Sequence, residues 1–595
     1  MGGISKQNIK GNFYYYAIDT KRIDGKPRVV SKKYLGTYED IVRKLTEPPQ
    51  PQAITNRNFG LVAAIYDIAI RLQFIEMVDG IVPKRIQGAT VGQYMLIAAL
   101  NRCVSPTSKN QIGEWYEETI LPRLLNIESQ FFTSQRFWDN MDLITAEDIV
   151  ELQIQLAKKV VETYSVDLRV LLFDATNFFT YIDTKNSCTL PQRGHNKQKR
   201  TDLRQIGLAL MVSRDGGVPL FFDVYQGNDP DSVEFDRFIR DMVDRFNEMF
   251  TQCEDITVVC DKGNISKDNL EKFDQTPLHI VTSLSHKHVN KDLLNIPLKE
   301  YKSCLDSQLE DVKYYRCRDK VYGTERTVIL VYNPALFEGQ MQGIYHNLNK
   351  TLGELALLQK SLAGWKDQKT KGKRPQAESV ERHVKKILHR QYMNLLITFQ
   401  INEVKIEKQE VTREQQQEEE GEKQKSGKKK QKPEKELIWI DLQFSENKEA
   451  LENLQKTVLG KTILFSDRDD WADEDYIRVY RDQYMIEHNF RQMKDPSWVS
   501  WDPLLHWTDQ KIRVHAFYCF AALLFASLLR QQLRRKKLPV SFQRACDKLS
   551  KIQECTIEFA PSGRPKKAPC VVMLSSMDKE QKLLFDGLEL GRYLG

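Results

Sequence analysis

Val170-Leu171-Leu172-Phe173-Asp174-Ala175-Thr176-Asn177 is an apolar run that ends on an aspartate, and Ile256-Thr257-Val258-Val259-Cys260-Asp261-Lys262-Gly263 repeats the arrangement. Short, wholly apolar runs predict strands buried on both faces, as in sheets covered by helices. Side chains at the C-terminal ends of neighbouring strands converge in open α/β sheets, so the two carboxylates can meet there. Close carboxylates repel unless one is protonated or a cation lies between them, and their hard oxygens suit Mg²⁺ or Mn²⁺. Either aspartate alone is better read as the cap of a turn; for the pair, in this strand order, a metal site is as good a reading.

Around these runs the pattern is mixed α/β. Ile206–Val212 and Pro219–Tyr225 read as strands joined at Asp215-Gly216-Gly217, followed by an amphipathic helix carrying Phe235, Phe238, Ile239 and Met242. A further strand is expected at His279–Leu284. Upstream, Leu61 to Thr163 has helical periodicity, and residues 12–36 read as a hairpin about Asp24-Gly25-Lys26. The chain therefore divides into a hairpin and linker (1–60), a helical N-terminal region (61–165), an α/β core in two pieces (166–285 and 466–535), an insertion with short strands (286–465) and a basic C-terminal segment (536–595). Within the insertion, 401–436 holds ten acids and ten bases with few apolar groups, which predicts a disordered loop or charged helix.

Charge and composition narrow the function. The 595 residues carry 88 Lys and Arg against 81 Asp and Glu, which excludes a histone-like polycation. The last 85 residues are nevertheless basic, with 16 cations against 7 acids, and the loop 185–204 holds six cations and one acid. Phosphate contacts are expected from Arg193, Lys197 and Arg200 in that loop, which should lie beside Asp174; a solvated hairpin tip explains it equally well. Ten cysteines without a C-x-x-C pair give no disulfide framework or cysteine-based zinc site, and no serine or cysteine nucleophile has partners in the sequence. The longest apolar run, Ala516 to Leu529, is too short to span a bilayer.

A third acid completes the pattern. Tyr480-Arg481-Asp482-Gln483-Tyr484-Met485-Ile486-Glu487, continuing to Lys494, reads as one helix on which Tyr480, Gln483, Glu487, Arg491 and Lys494 share a face. Tyr484, Ile486, Phe490 and Met493 are expected to pack the other sides. An acid aligned with Tyr, Arg and Lys suits a metal–phosphate site, although i,i+4 ion pairs are the commoner meaning of Glu and Lys at such spacing.

Asp174, Asp261 and Glu487 in this order, with Y-x2-Q-x3-E-x6-K around the Glu, resemble the DDE transposases of bacterial insertion sequences. The chain is most similar to the insertion-sequence-four superfamily, signature Y-x2-R-x3-E-x6-K, and within it to the sixteen-thirty-four group. Leu35-Gly36, the Arg193-Gly194-His195-Asn196-Lys197 loop, Pro503-Leu504-Leu505-His506-Trp507 and Ile512-Arg513-Val514-His515 extend the resemblance along nearly the whole chain. It departs at Gln483, which occupies the family's Arg position and offers no cationic fork; Arg481 or Arg491 could substitute, with Arg491 on the better face.

The resemblance implies an RNase H-like core, interrupted by a β-rich insertion before the Glu helix and preceded by an α-helical DNA-binding domain. It implies Asp174, Asp261 and Glu487 as the catalytic triad holding two Mg²⁺ ions, with Mn²⁺ able to substitute. Water would cleave the element's ends; the freed 3′-OH would attack the opposite strand and then target DNA. Tyr480, Gln483, Arg491 and Lys494 would contact DNA, two protomers would act on two terminal inverted repeats, and the setting would be the cytoplasm of a prokaryote, at the nucleoid. An RNase H-like nuclease without strand transfer and a non-catalytic DNA-binding derivative remain open alternatives. Trp471, Trp498, Trp501 and Trp507 flank the Glu487 helix, where the resemblance implies that an aromatic holds a flipped base, but each is better read as a core or interface residue; His515 is expected to be packed.

Overall fold

The apolar run at Val170 opens a strand longer than expected. In the computed structural model, which describes residues 2–23, 25–46, 51–84, 88–183, 186–196, 198–249, 255–366, 374–405, 438–559 and 570–595, β1 spans Val170–Thr180. It continues past Asp174 because Thr176, Phe178, Phe179 and Thr180 are branched or aromatic side chains that fit a pleated surface. It pairs antiparallel with β2 (Arg204–Ser213) from Leu171↔Ser213 to Thr180↔Arg204. β3 (Val218–Gln226) lies outside β2. On the other side β4 (Thr257–Cys260) and β5 (His279–Ser283) add in parallel.

The sheet then takes up part of the expected insertion. β6 (Lys302–Ser303), β7 (Lys313–Val321), β8 (Thr324–Tyr332) and β9 (Lys461–Ser466) extend it antiparallel, giving nine strands in the order β6-β7-β8-β9-β5-β4-β1-β2-β3. What stands outside the sheet between β8 and β9 is mainly helical, not β-rich. Helices at Pro334–Lys366, Ala377–Ile387 and Lys448–Thr457 pack with one hairpin, Ile397–Lys405 and Ile438–Glu446, around Leu355, Val384, Met393 and Leu442. The first of these helices carries seven Leu, a strong helix former, which outweighs its four Gly and the flanking strand signals. Most of the charged stretch 401–436 lies outside the described residues.

After β9 come α1 (Asp473–Arg481), α2 (Tyr484–Met493), α3 (Asp509–Arg535) and α4 (Phe542–Leu549), with a further helix at Lys579–Gly587. α3 extends well beyond its apolar run to 27 residues, and is the one helix among the described residues long and apolar enough to cross a membrane, yet its most apolar stretch is 94% buried inside the fold. A helix apolar on every side belongs in a core. Here the N-terminal helices Gly60–Arg71, Val91–Val104 and Ala146–Tyr164 wrap α3 and share a single apolar core with it and with one face of the sheet. Residues 61–165 thus build no core of their own. The chain's ends are strand-forming as well. Pro51–Asn58 pairs with Gln553–Phe559, which pairs with Cys570–Leu574, and Gly2–Ile9 adds an unanticipated third strand to the Asn12–Ile23 and Lys26–Gly36 hairpin.

Candidate active site

Leu172 faces Val259 across the parallel β1–β4 ladder; Asp174 lies two residues further along β1, and Asp261 lies two residues beyond Val259, one past the end of β4, with its backbone still extended. Side chains alternate with a period of two and neighbouring strands lie about 4.8 Å apart, so Asp174 and Asp261 leave the same face of the sheet side by side. β4 ends at Cys260 while β1 continues, so the pair occupies the notch where β4 leaves the sheet. Asp261 also caps the turn that follows, accepting from the Lys262 N–H at 2.8 Å; capping and pairing are compatible. The Cys260 thiol is pushed up to about 12, chiefly by burial, with Asp261 and Asp174 both adding to the shift.

The row has a member that sequence reasoning missed. Cys260 pairs with Thr282 across β4–β5, which puts Ser283 beside Asp261. The Tyr480 hydroxyl donates to Ser283 Oγ at 2.8 Å and lies 3.3 Å from Asp261 Oδ1, while Ser283 Oγ lies 3.4 Å from the same oxygen. Burial, with Asp261 adding to it, holds the phenol above its ordinary pKa, so Tyr480 stays a donor. Tyr480, expected to hold phosphate, is therefore engaged on the Asp261 side of the row. The signal for Ser283 was available: a hydroxyl at the end of a third apolar strand, level with the two aspartates.

Glu487 comes from α2, whose Ile486, Asn489, Phe490 and Met493 are buried. At one end Asp482 pairs with Arg214, whose N–H bonds the Val170 carbonyl at 3.0 Å; at the other, Lys494 Nζ meets Thr176 Oγ1 at 2.6 Å. Twelve residues of helix would rise about 18 Å and six of strand about 20 Å, so α2 runs alongside β1 and Glu487 stands roughly level with Leu172 and Phe173, within about two residues of Asp174. Glu487 is exposed and has no partner among the described residues. As they stand, no three acidic, histidine or cysteine side chains among the described residues form a group able to hold an ion.

The expected single helix is two. Gln483, Met485 and Ile486 donate three residues back rather than four, to Tyr480, Asp482 and Gln483, which tightens the turn between α1 and α2. The shared stripe is thereby divided: Tyr480 belongs to α1 and Glu487, Arg491 and Lys494 to α2 and its end. Tyr484, expected to pack, is 54% exposed. Gln483 is half-buried, and its Nε2 is a buried donor without a partner.

The basic loop is displaced from its expected place. Because β1 runs on to Thr180, the root of the loop lies about 20 Å along the strand from Asp174. Arg193 is exposed, Arg200 forks onto Asp202 at 2.7 Å through both oxygens, and Lys197 lies outside the described residues. Gly194 passes so close to the Gly227 carbonyl that a Cβ there would stand 2.1 Å from it. Asp509, in the first turn of α3, anchors the loop by accepting from the Thr189 and Leu190 N–H groups, both at 2.9 Å, and from Thr189 Oγ1 at 2.6 Å.

Burial would raise the pKa of Asp509, but these hydrogen bonds outweigh it and hold the carboxyl below its ordinary value of 3.8. A group depressed in the folded state stabilises above its unfolded pKa, and that contribution is lost as pH falls through the folded value. Protection of the Thr189 and Leu190 amides from hydrogen exchange is therefore expected to persist at neutral pH and to fall away below about pH 3.8. Asp509→Asn should lose it at neutral pH; wild-type protection in that variant would refute the anchor.

Among the aromatics, Trp501 is fully buried against Phe178, with ring centroids 4.4 Å apart, and His515 bonds its carbonyl at 2.8 Å. Trp507 is 61% exposed.

The family model described as "Transposase DDE domain" matches residues 166–525. No curated protein matches the chain. Among solved structures, a piggyBac transposase synaptic complex with hairpin DNA is 8% identical, with 84% of this chain and 82% of that one covered and a TM-score of 0.34. A Mos1 transposase paired-end complex with left transposon end is 6% identical over 33% of this chain and 60% of that one, with a TM-score of 0.14.

Proposed function

This chain belongs to the transposase DDE domain family, whose model spans more than half of it, and on that premise we propose that it cleaves the ends of an insertion sequence and joins them to target DNA at Asp174, Asp261 and Glu487. The observation that carries the assignment is the register: two aspartates side by side on adjacent parallel strands, on the face that α2 covers, with Glu487 on that helix. The strand order β5-β4-β1-β2-β3, with β2 antiparallel to β1 and β4 parallel to it, supports an RNase H-like core. The segmental likeness around Glu487 supports the insertion-sequence-four superfamily.

The donor set fits a hard divalent cation: it consists of carboxylate oxygens, two of them in register, and a third whose side chain is exposed and unpartnered among the described residues. Mg²⁺ or Mn²⁺, two ions per site when bound, would supply charge at the attacking and leaving oxygens of the phosphodiester. The chain's own contribution is positional. Tyr480 and Ser283 fix the rotamer of Asp261, Lys494 keeps a cation above β1 beside the row, and Trp501 seats the end of α2. In cleavage water forms the new P–O bond and the departing 3′ oxygen takes up a proton; in joining that 3′-OH is the nucleophile and a target-strand 3′ oxygen leaves.

The deciding experiment uses DNA carrying the inverted repeats that flank the reading frame. Mg²⁺-dependent cleavage at the repeats, and joining of precut ends to a second duplex, are the expected results. Cleavage without joining would make the protein a nuclease, and binding without either would make it a non-catalytic derivative.

A further inference from the structure

A cavity of about 580 Å³ opens between α2, α3 and α4, lined on the α2 side by His488, Arg491, Gln492 and Asp495 and not by Asp174, Asp261 or Glu487. Its charged lining is mainly cationic, Arg491 from α2 and Arg530 and Arg534 from α3 against one acid, Asp495, with His488, Gln492, Ser541 and Gln543 as neutral polar neighbours. Arg530 is only 9% exposed, and its Nε is buried without a partner. Its remaining contacts are neutral, a hydrogen bond from Nη2 to Gln492 Oε1 and the face of Phe542 at 5.2 Å. Arg491 and Arg534 are exposed and have no ion-pair partner among the described residues.

A buried guanidinium without a counter-charge is costly, and an anion seated against it relieves that cost. The field within the cavity has the same sense: Arg530 is pushed down to about 10, first by burial and then by Arg534. A planar fork with a free N–H matches the oxygens of a phosphate group. Leu538 and Phe542 form an apolar wall beside the cations, as expected where a ligand presents charge at one point only.

We propose that this cavity binds a backbone phosphate of DNA, held by Arg530, Arg491 and Arg534, at a place distinct from the carboxylate row. The choice of DNA over a free anion rests on the function proposed above and on position. Arg491 is one helical turn beyond Glu487, a rise of about 6 Å, so a strand entering the row passes the mouth of the cavity. The bond to Gln492 links the buried cation to α2 itself, so an occupied cavity also braces the helix that carries Glu487.

The test measures binding of the full chain to a short duplex of random sequence, without divalent metal, across a series of salt concentrations. Arg491→Gln combined with Arg534→Gln, both exposed positions, should weaken binding about tenfold and lower the slope of log K against log salt by one to two. Arg530→Met should do the same where it folds; the exposed pair decides the matter if it does not. In parallel, inorganic phosphate should raise the melting temperature of the wild type saturably and leave the double variant unmoved. Unchanged DNA affinity and slope in the double variant overturn the proposal. A phosphate effect without a DNA effect also overturns it, leaving a site for small anions only. Absence of cleavage with the slope change present would count against the catalytic reading and leave this site standing.

Discussion

Asp174→Asn, Asp261→Asn and Glu487→Gln, made one at a time, are expected to remove Mg²⁺-dependent cleavage without weakening metal-free binding to DNA. Each replacement keeps the shape of the side chain and discards the charge a hard cation requires. Loss of a group that merely orients a metal ligand costs about 10–100-fold, so loss of a ligand should exceed about 100-fold. Tyr480→Phe provides the comparison. It removes the O–H that reaches Ser283 and Asp261 but leaves the carboxylate in place, so its loss should stay within about 10–100-fold and be partly restored by raising Mg²⁺. Single-turnover cleavage over a Mg²⁺ titration separates the two kinds of effect. Wild-type rates in any one of the three acid variants would remove that carboxylate from the site. A Tyr480→Phe defect as deep as those of the acids, and insensitive to Mg²⁺, would place the phenol on the substrate instead.

The parts of this site visible in sequence were those set by local physics. An apolar run must be buried, so the strand that carries Asp174 and the strand that ends just before Asp261 could be read from a few residues each, and helical spacing aligned Glu487 with Arg491 and Lys494. What escaped notice depends on distant partners. The continuation of β1 to Thr180, over Ala175, Thr176, Asn177, Phe178 and Phe179, has no regular alternation to mark it and is held by β2, more than twenty residues on. The break between α1 and α2 sits where Asp482 is drawn to Arg214, 268 residues earlier in the chain. The strand at Ile463-Leu464-Phe465 was not anticipated: its membership of the main sheet comes from pairing with β5 and β8, which no local pattern announces. The basic loop was misplaced for the same reason: a strand taken as ending at Asp174 brings its following loop to the site, and six further residues of strand carry it away.

Trp501→Ala should be the most damaging single change outside the carboxylates, because Trp501 joins three elements of the site. Its ring lies on Phe178 of β1, with planes 18° apart, and meets the His515 ring of α3 edge-on at 5.1 Å. Its N–H bonds the Met493 carbonyl at the end of α2, and its carbonyl accepts from His515, both at 2.8 Å. Truncation leaves both backbone bonds formally possible but empties the space between β1 and α3, and a large aromatic removed from a core costs about 3–5 kcal/mol. That is a large fraction of the roughly 5–15 kcal/mol that holds a domain folded. Trp501→Phe should cost much less, because the indole Nε1 is buried without a partner and its loss breaks no hydrogen bond. The expected readout is a lowered melting temperature with accelerated amide exchange in α2, and slowed cleavage, since Lys494 and Glu487 ride on the helix that Trp501 holds down. If Trp501→Ala lowers stability while exchange in α2 stays slow, the tryptophan supports α3 alone, and the seating of Glu487 must come from Ile486, Phe490 and Met493.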